Sequence, residues 1–410
     1  MNSDWKERSV SELERTGALL VQDGNHGNDR PRPDEFASAG TAFIRAGDLA
    51  GGCVLLDQAS RINDVAHARI RKGRGLPGDV LLSHKGTVGR VGLVPSDAPP
   101  FVCSPQTTFW RALDSEVINR RFLLFFLRSP AFVRQLTALK GQTDMADYVS
   151  LTDQRQMTIT LPPIPEQRRI AGVLGALDDK IEHNTTRALR EAELLSGAFR
   201  ASFSALSVVD EDVPAGWRAG VLGDEVEVVM GQSPPGSTYT YDSSVGLPLI
   251  QGNADLGDRY PEPTRHTTTP TRASRVGDVI FTVRAPVGEV NISDGEFCLG
   301  RGVAAIRSDL PVYAEQLVRA LASRWSAEET GTIFPSVNRS QILGLPITRP
   351  PKVAAEEFDL TYRSLYDSIA ELHSETRTLA AIRDAVLPRL VAGSIRVSES
   401  FEPRELKSAV

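Results

Sequence analysis

Basic side chains are concentrated in two short segments of a chain whose formal net charge is −6. Residues 61–90 contain seven Arg or Lys against two Asp, and residues 258–275 contain four Arg against one Asp and one Glu. Guanidinium and ammonium groups bind phosphate, and salt screens each charge over about 8 Å, so the local distribution matters more than the total. The two segments therefore predict two phosphate-facing surfaces, and the alternative is an ordinary solvated face.

A repeated stretch accompanies each basic segment. The sequence GDVLLSHKGTVGRV occupies residues 78–91, and GDVIFTVRAPVGEV occupies residues 277–290, with Lys85 and Arg284 at the same place in the two copies. Further similar pairs are residues 40–49 with 246–256 and residues 159–163 with 347–351. An internal duplication sets the architecture, and this one predicts two copies of about 200 residues that share a scaffold and differ on the surface.

The elements within each copy follow from composition and spacing. Short apolar runs bounded by Gly and Pro predict strands, and each copy ends in one long helix, which gives an α+β fold. The first helix opens with Pro165 and Glu166, which suit a helix N-terminus. The predicted divisions are residues 1–160 (first domain), 161–205 (first long helix), 206–348 (second domain), 349–397 (second long helix) and 398–410 (tail).

Both long helices carry the same apolar seam. Alternating spacings of three and four residues are typical of a coiled coil, so we expect the two helices to pack on each other; the alternative is that each packs only on its own domain. The seam residues are Ile170, Leu174, Leu177, Ile181 and Asn184 in the first helix, and Phe358, Tyr362, Leu365, Ile369 and Leu372 in the second.

Motifs for catalysis are missing from the sequence. It has no GxxxxGK[ST] phosphate loop, and its six histidines show no metal-ligand spacing. A literal GxGxxG at residues 73–78 is followed by a strand-like run instead of a helix, so a dinucleotide site is not expected there. Three cysteines without a CxxC pair predict reduced thiols, and the polar start and short apolar runs predict a cytoplasmic protein.

With these features the chain resembles the specificity subunits of type I restriction-modification systems over essentially its whole length. The resemblance is carried by the tandem halves, the two Gly-Asp-Val segments, LPPIPEQRRIAGVLGALDDKI at residues 161–181 and AIRDAVLPRLVAGSIRV at residues 381–397. The second copy departs from the usual Glu-Gln of the helix opening, since it has Glu356 and Glu357.

The resemblance implies a function for each part. Each half would contain a target-recognition domain for one part of a split double-stranded DNA site, and the helices would form an antiparallel spacer. Two methyltransferase subunits would supply the S-adenosylmethionine site, and a restriction subunit that translocates DNA would use ATP and Mg²⁺. This chain would bind no cofactor and no metal, and would not be an enzyme.

Candidate DNA contacts follow from the basic strips and from the side chains that pair with base edges. They are Arg69, Arg71, Lys72, Arg74, Lys85 and Arg90 in the first half, and Gln251, Asn253, Arg259, Arg265, Arg272, Arg275, Arg284 and Arg301 in the second. Alternative interpretations are a recognition subunit of a fused nuclease-methyltransferase, an orphan subunit, or a coiled-coil interaction protein without a DNA role.

Overall fold

The computed structural model describes residues 4–142, 147–207, 214–326 and 336–401. The chain forms two compact units: the first comprises residues 1–183 with 375–410, and the second comprises residues 184–374. The predicted tail at 398–410 lies outside the described residues from position 402 onward. None of the described helices is long and apolar enough to cross a membrane.

The first unit contains short strands and helices in alternation. Its strands are β1 (Lys6–Ser9), β2 (Leu19–Asp23), β3 (Phe36–Ala37), β4 (Thr41–Ile44), β5 (Leu49–Ala50), β6 (Gly52–Val54), β7 (Ser60–Ile62), β8 (Arg74–Gly75), β9 (Val80–Ser83), β10 (Val91–Leu93), β11 (Phe101–Cys103), β12 (Thr107–Ala112), β13 (Gly141–Gln142), β14 (Asp147–Tyr148) and β15 (Thr158–Leu161). Its shorter helices are α1 (Val10–Arg15), α2 (Asp64–Arg69), α3 (Arg120–Leu127), α4 (Pro130–Ala138) and α5 (Leu151–Gln156).

Two larger sheets form the body of this unit. One has the order β2-β12-β9-β10-β6-β5 and the other β3-β7-β4-β11-β8. Trp110 and Phe126 are buried between the first sheet and helices α3 and α4, and the ring of Phe132 contacts both. Strands β1 and β15 pair antiparallel, with Lys6 opposite Leu161, and so join the start of the unit to the residues before the first long helix.

The second unit repeats this plan with shorter sheets. Its strands are β16 (Arg218–Val221), β17 (Glu227–Met230), β18 (Tyr239–Thr240), β19 (Leu247–Ile250), β20 (His266–Thr267), β21 (Val279–Thr282), β22 (Val290–Ile292), β23 (Cys298–Leu299), β24 (Val303–Arg307) and β25 (Pro346–Arg349), and its shorter helices are α7 (Pro311–Leu321), α8 (Ser323–Ser326) and α9 (Arg339–Leu343). The orders β17-β24-β21-β22 and β18-β20-β19-β23 correspond to parts of the sheets in the first unit, and β16 pairs with β25 as β1 does with β15.

The repeated Gly-Asp-Val stretch starts the same hairpin in both units, β9–β10 and β21–β22. Its aspartate is buried and forms a two-pronged ion pair with an arginine of the neighbouring strand. Asp79 accepts hydrogen bonds from Arg111 at 2.7 and 2.8 Å, and Asp278 accepts them from Arg307 at 2.9 and 2.7 Å. The shared aspartate is therefore a structural anchor of the fold.

The two long helices are labelled α6, for Ile164–Ser202, and α10, for Lys352–Val391. Within the first unit, Lys180 pairs with Glu375 at 3.2 Å. The start of α6 shares a core cluster with the end of α10 there. Within the second unit, the ring of Phe199, near the end of α6, lies 5.4 Å from that of Phe358, near the start of α10. These contacts confirm the predicted antiparallel pairing of the long helices.

The ten predicted seam residues are all buried or half-buried. Ile170, Leu174, Asn184, Phe358, Ile369 and Leu372 are buried, and Leu177, Ile181, Tyr362 and Leu365 are half-buried. The observed helices start three residues later than the predicted divisions at 161 and 349. The boundary between the compact units divides both helices, at residues 183/184 and 374/375.

Candidate nucleic-acid interface

The turn of the repeated hairpin has the same hydrogen bonds in both units. Ser83 Oγ accepts a hydrogen bond from the backbone N–H of Arg90 at 2.8 Å. Thr282 Oγ1 accepts the equivalent bond from the N–H of Glu289 at 2.9 Å. In each unit, a hydroxyl thus binds the backbone N–H seven residues later, and the two turns follow the same backbone path.

The tips of these turns present one exposed cation each, Lys85 in the first unit and Arg284 in the second. The glycines that follow, Gly89 and Gly288, both have φ of +102°, a conformation that favours glycine. The Val-Gly shared by the repeated stretches therefore reflects a backbone requirement, and the residues before it are left to vary.

In the first unit, backbone hydrogen bonds gather five loops beside this tip. They join Asn25 N–H to Cys103 C=O (2.6 Å), Cys103 N–H to Gly73 C=O (2.7 Å), Ser104 N–H to Ile44 C=O (2.8 Å) and His84 N–H to Gln106 C=O (2.9 Å). We call this surface the first rim; it consists of residues 24–26, 44–47, 71–73, 84–87 and 104–106.

The second unit contains the same set of bonds at corresponding positions. They join Gln232 N–H to Leu299 C=O (2.8 Å), Leu299 N–H to Arg272 C=O (2.8 Å), Gly300 N–H to Ile250 C=O (2.7 Å) and Val283 N–H to Gly302 C=O (2.9 Å). The second rim consists of residues 231–233, 250–252, 270–272, 283–286 and 300–302. One backbone arrangement therefore carries two different sets of side chains.

Eight of the predicted DNA contacts belong to these rims or donate a hydrogen bond to a rim side chain. They are Arg71, Lys72 and Lys85 in the first unit, and Gln251, Arg265, Arg272, Arg284 and Arg301 in the second. All are exposed except the half-buried Gln251. Arg265 adjoins the second rim because its Nη1 donates to Gln251 Oε1 at 2.9 Å. Cations and amides thus share one exposed surface in the second unit.

The prediction for Arg259 is wrong. Its side chain is 8% exposed and donates to both carboxylate oxygens of Glu315 at 2.8 Å, and its guanidinium lies 5.2 Å from the ring centre of Tyr366. Burial by itself disfavours the charged guanidinium, but Glu315 outweighs this effect, so the pKa of Arg259 is raised above its ordinary value. This arginine joins β-rich and helical parts of the second unit and is not available to DNA.

Arg69 also has a structural partner. Its guanidinium donates to the carboxylate of Glu35 at 2.5 and 2.6 Å, and Glu35 is buried. The hydrogen bond from Arg69 lowers the pKa of Glu35 from 4.5 to about 2. Arg69 therefore closes helix α2 onto the loop before β3 instead of extending toward a ligand.

The remaining four candidates lie away from the two rims or only at their edge. Arg74 caps α2, since it donates to the carbonyls of Ile70 and His67 at 2.8 and 2.6 Å. Nη1 of Arg90 lies 3.4 Å from the carbonyl oxygen of Ala46 and donates to it.

The last two of these four candidate DNA contacts, Arg275 and Asn253, lie in the second unit. Arg275 precedes β21, at the end opposite its tip. Asn253, at the edge of the second rim, lines a cavity of about 370 Å³ together with Asp258 and Glu289. Because those carboxylates repel phosphate, this cavity is a poor DNA surface.

Several rim residues escaped the sequence prediction because they lie outside the basic strips. They are Asn25, His26, Arg45, Gln106 and Gln232. The repeat itself contained a signal for one of them: Arg45 in FIRAGDL aligns with Gln251 in LIQGNADL. Comparison of the two copies position by position would have found it.

Polar atoms without a hydrogen-bond partner lie beneath the first rim. Among the residues that the structure describes, they include both amide atoms of Asn25, Oδ1 of Asp23 and Nε2 of His84. Nδ1 of His84 donates to the Val149 carbonyl at 2.9 Å. Burial lowers the pKa of His84, so the ring is neutral and its Nε2 is an acceptor.

The exposed side chains of both rims are of the types that contact nucleic acids. Exposed Arg and Lys bind phosphate, and Arg, Asn and Gln pair with base edges. No group of three His, Cys, Asp or Glu within the described part of the chain could hold a metal ion. Cys53, Cys103 and Cys298 are free thiols.

Comparisons with known proteins agree with this arrangement. A family model described as "Type I restriction modification DNA specificity domain" matches residues 2–192. The chain is 25% identical to a putative type I restriction enzyme MjaX specificity subunit of Methanocaldococcus jannaschii, over 87% of this chain and 88% of the relative. It is 21% identical to the type I restriction enzyme HindI specificity subunit of Haemophilus influenzae, over 96% and 100%. The fold is similar to that of a type I restriction-modification S subunit from M. genitalium, with a TM-score of 0.61 and 13% identity over 95% and 97% of the two chains.

Proposed function

The chain belongs to the specificity subunits of type I restriction-modification systems, and we propose that its two rims read the two parts of a split DNA target. One observation carries the proposal: the same rim backbone is built once in each unit, with different side chains. A single continuous site needs only one reader, whereas two half-sites of different sequence need one scaffold with two surfaces.

Each rim contributes both parts of DNA recognition. The exposed cations, among them Lys85 in the first unit and Arg284 in the second, bind phosphates and position the unit. The amides and the arginines nearer the centre of each rim pair with base edges in the major groove. The paired helices α6 and α10 separate the half-sites.

The chain acts together with partners in this proposal. Two methyltransferase subunits bind it and contribute the S-adenosylmethionine site, and a translocating nuclease subunit contributes ATP hydrolysis with Mg²⁺. The chain itself binds no cofactor and catalyses no step, and it acts on double-stranded DNA in the cytoplasm. Purified alone, it should therefore transfer no methyl group to DNA.

The test is reconstitution with the methyltransferase subunits of the same genome, followed by mapping of methylated adenines on genomic DNA. We expect one motif with two defined parts and an undefined spacer. Methylation of a continuous motif, or no sequence preference in a complex that binds DNA, would contradict the proposal. A complex that binds its partners but not DNA would favour a coiled-coil interaction protein.

A further inference from the structure

Arg45 and Gln251 occupy the same backbone position in the two units. Each follows the strand that precedes a short 3₁₀ turn, β4 or β19, and each backbone N–H donates to an aspartate of that turn at 2.7 Å. The aspartates are Asp48 and Asp255. The two side chains thus leave the rims from equivalent points.

The partner of each side chain is equivalent as well. Phe36 begins β3 and lies opposite Ile62, and Tyr239 begins β18 and lies opposite Thr267. In both units the strand opposite also pairs with the strand that leads to the rim position. One aromatic position therefore supports the rim side chain in both units.

The support differs with the side chain. The guanidinium carbon of Arg45 lies 5.3 Å from the ring centre of Phe36, within the range of a cation–π contact. Gln251 Nε2 lies 3.0 Å from the hydroxyl oxygen of Tyr239 and donates to it. The Phe36 ring thus contacts a cation through its face, and Tyr239 contacts an amide through its hydroxyl.

A second neighbour fixes the orientation of the Gln251 amide. Arg265 Nη1 lies 2.9 Å from Gln251 Oε1, and because arginine only donates, the atom facing it must be the oxygen. One lone pair of Oε1 and one hydrogen of Nε2 are left for a ligand. These two groups match adenine, which offers N6–H as donor and N7 as acceptor in the major groove.

From this geometry we infer that Arg45 and Gln251 are equivalent base-reading residues. Gln251 pairs with an adenine in the half-site of the second unit, and Arg45 pairs with a guanine, through O6 and N7, in the half-site of the first. Arg265 and Tyr239 are positioning residues that hold the amide. The inference rests on the proposed function and adds the identity of one base in each half-site.

The experiment uses the complex of this chain with its methyltransferase subunits. The first measurement is the methylated motif. The second is the affinity for duplexes that carry each of the four base pairs at the position assigned to Gln251 or Arg45. Gln251→Ala should reduce the preference for adenine at one position by about fivefold or more and leave the other positions unchanged. Gln251→Arg should change that position to guanine. Arg45→Gln should change one guanine of the other half-site to adenine.

Controls are Arg275→Gln in the second unit and Arg15→Gln in the first, since both residues are exposed and lie away from the rims. Neither should alter the motif. Gln251→Glu keeps the size of the side chain if the larger changes impair folding, and its carboxylate should favour cytosine, whose N4 donates. An unchanged preference for adenine in Gln251→Glu would overturn the inference.

An equal loss of affinity for every sequence, at an unchanged melting temperature, would also overturn it, because Gln251 would then contribute only to general binding. If the wild-type complex recognises no split motif, the proposed function is wrong. If it recognises one that the Gln251 and Arg45 variants leave intact, only the assignment of these two residues is wrong.

Discussion

At the scale of single residues, the buried aspartates of the repeated hairpins show how one motif serves folding. Asp79 is 1% exposed and neutralises Arg111, and it also accepts a hydrogen bond from the backbone N–H of Leu76 at 2.8 Å. Removing one partner of a buried ion pair leaves the other charge without compensation, which costs about 3–5 kcal/mol. The aspartate is thus required by packing, whatever DNA sequence the unit reads.

We expect Asp79→Asn to lower the free energy of unfolding of the first unit by about 3 kcal/mol. This value is at the low end of the range for a buried ion pair, because Arg111 keeps some contact with solvent. Urea denaturation followed by fluorescence would measure this, since the fully buried Trp110 reports on the same unit. The matched control is Asp97→Asn at an exposed position. Equal stability of the two variants would mean that the ion pair is not a structural anchor.

The ion pair of Glu35 and Arg69 predicts a pH effect. The pKa of the folded-state carboxyl is lowered to about 2 from 4.5, so the pair stabilises the fold fully above pH 4.5 and loses its effect as the pH falls toward 2. The difference in melting temperature between wild type and Glu35→Gln should therefore be largest near neutral pH and shrink below pH 4.5. Asp34→Asn, at the exposed neighbour, should show no such trend. A difference that stays constant with pH would contradict the assignment.

At the scale of elements, Asp178 connects three helices of the first unit. It accepts a hydrogen bond from Arg128, at the end of α3, at 2.6 Å and one from Arg383, in α10, at 2.9 Å. All three side chains are less than 20% exposed. A single carboxylate of α6 therefore connects α6 to both α3 and α10.

Asp178→Asn should lower the stability of the first unit by about 2 kcal/mol, between the effect of an exposed pair and that of a fully buried one. In this variant the partly buried Arg128 loses its counter-charge, and Arg383 keeps only the exposed Asp384, 2.8 Å away. Denaturation experiments would measure the loss, with Glu182→Gln as a control on the exposed side of α6. A loss no larger than that of the control would show that apolar packing alone joins these helices.

The elements also show what the sequence could predict. Periodicity and a Pro-Glu opening are local properties, so the long helices and their seam were predictable, as were the hairpins bounded by glycine. Arg259 was assigned wrongly because its partner Glu315 lies 56 residues away, and no local pattern indicates that a cation will be buried. The rims combine five loops from distant parts of the chain, so that Asn25 and Gln106 could not be connected with Lys85 from spacing.

At the scale of the whole molecule, duplication predicts that the two readers act separately. A hybrid with a foreign recognition region in place of residues 10–150 keeps the pairing of β1 with β15 and both long helices. We expect it to change one half-site of the methylated motif and keep the half-site read by residues 215–335. If mapping showed both half-sites altered together, the readers would not be independent.

The long helices are the elements available to set the distance between half-sites. A heptad adds about 10 Å of helix, which equals about three base pairs at 3.4 Å each. Insertion of one heptad at 183/184 and one at 374/375 keeps the seam in phase in both helices. Insertion into α6 alone shifts its seam relative to α10, and should unfold the helix pair.

The double insertion also rotates one half-site around the DNA axis, by about a third of a turn for three base pairs. We therefore expect either a motif whose spacer is longer by about three base pairs or a loss of methylation, because a reader that faces the wrong side of the duplex cannot reach its bases. Methylation mapping with the assembled complex distinguishes the two results. Full activity on the original spacer would exclude these helices as the element that measures the gap, since a longer rigid connection cannot leave the distance between two readers unchanged.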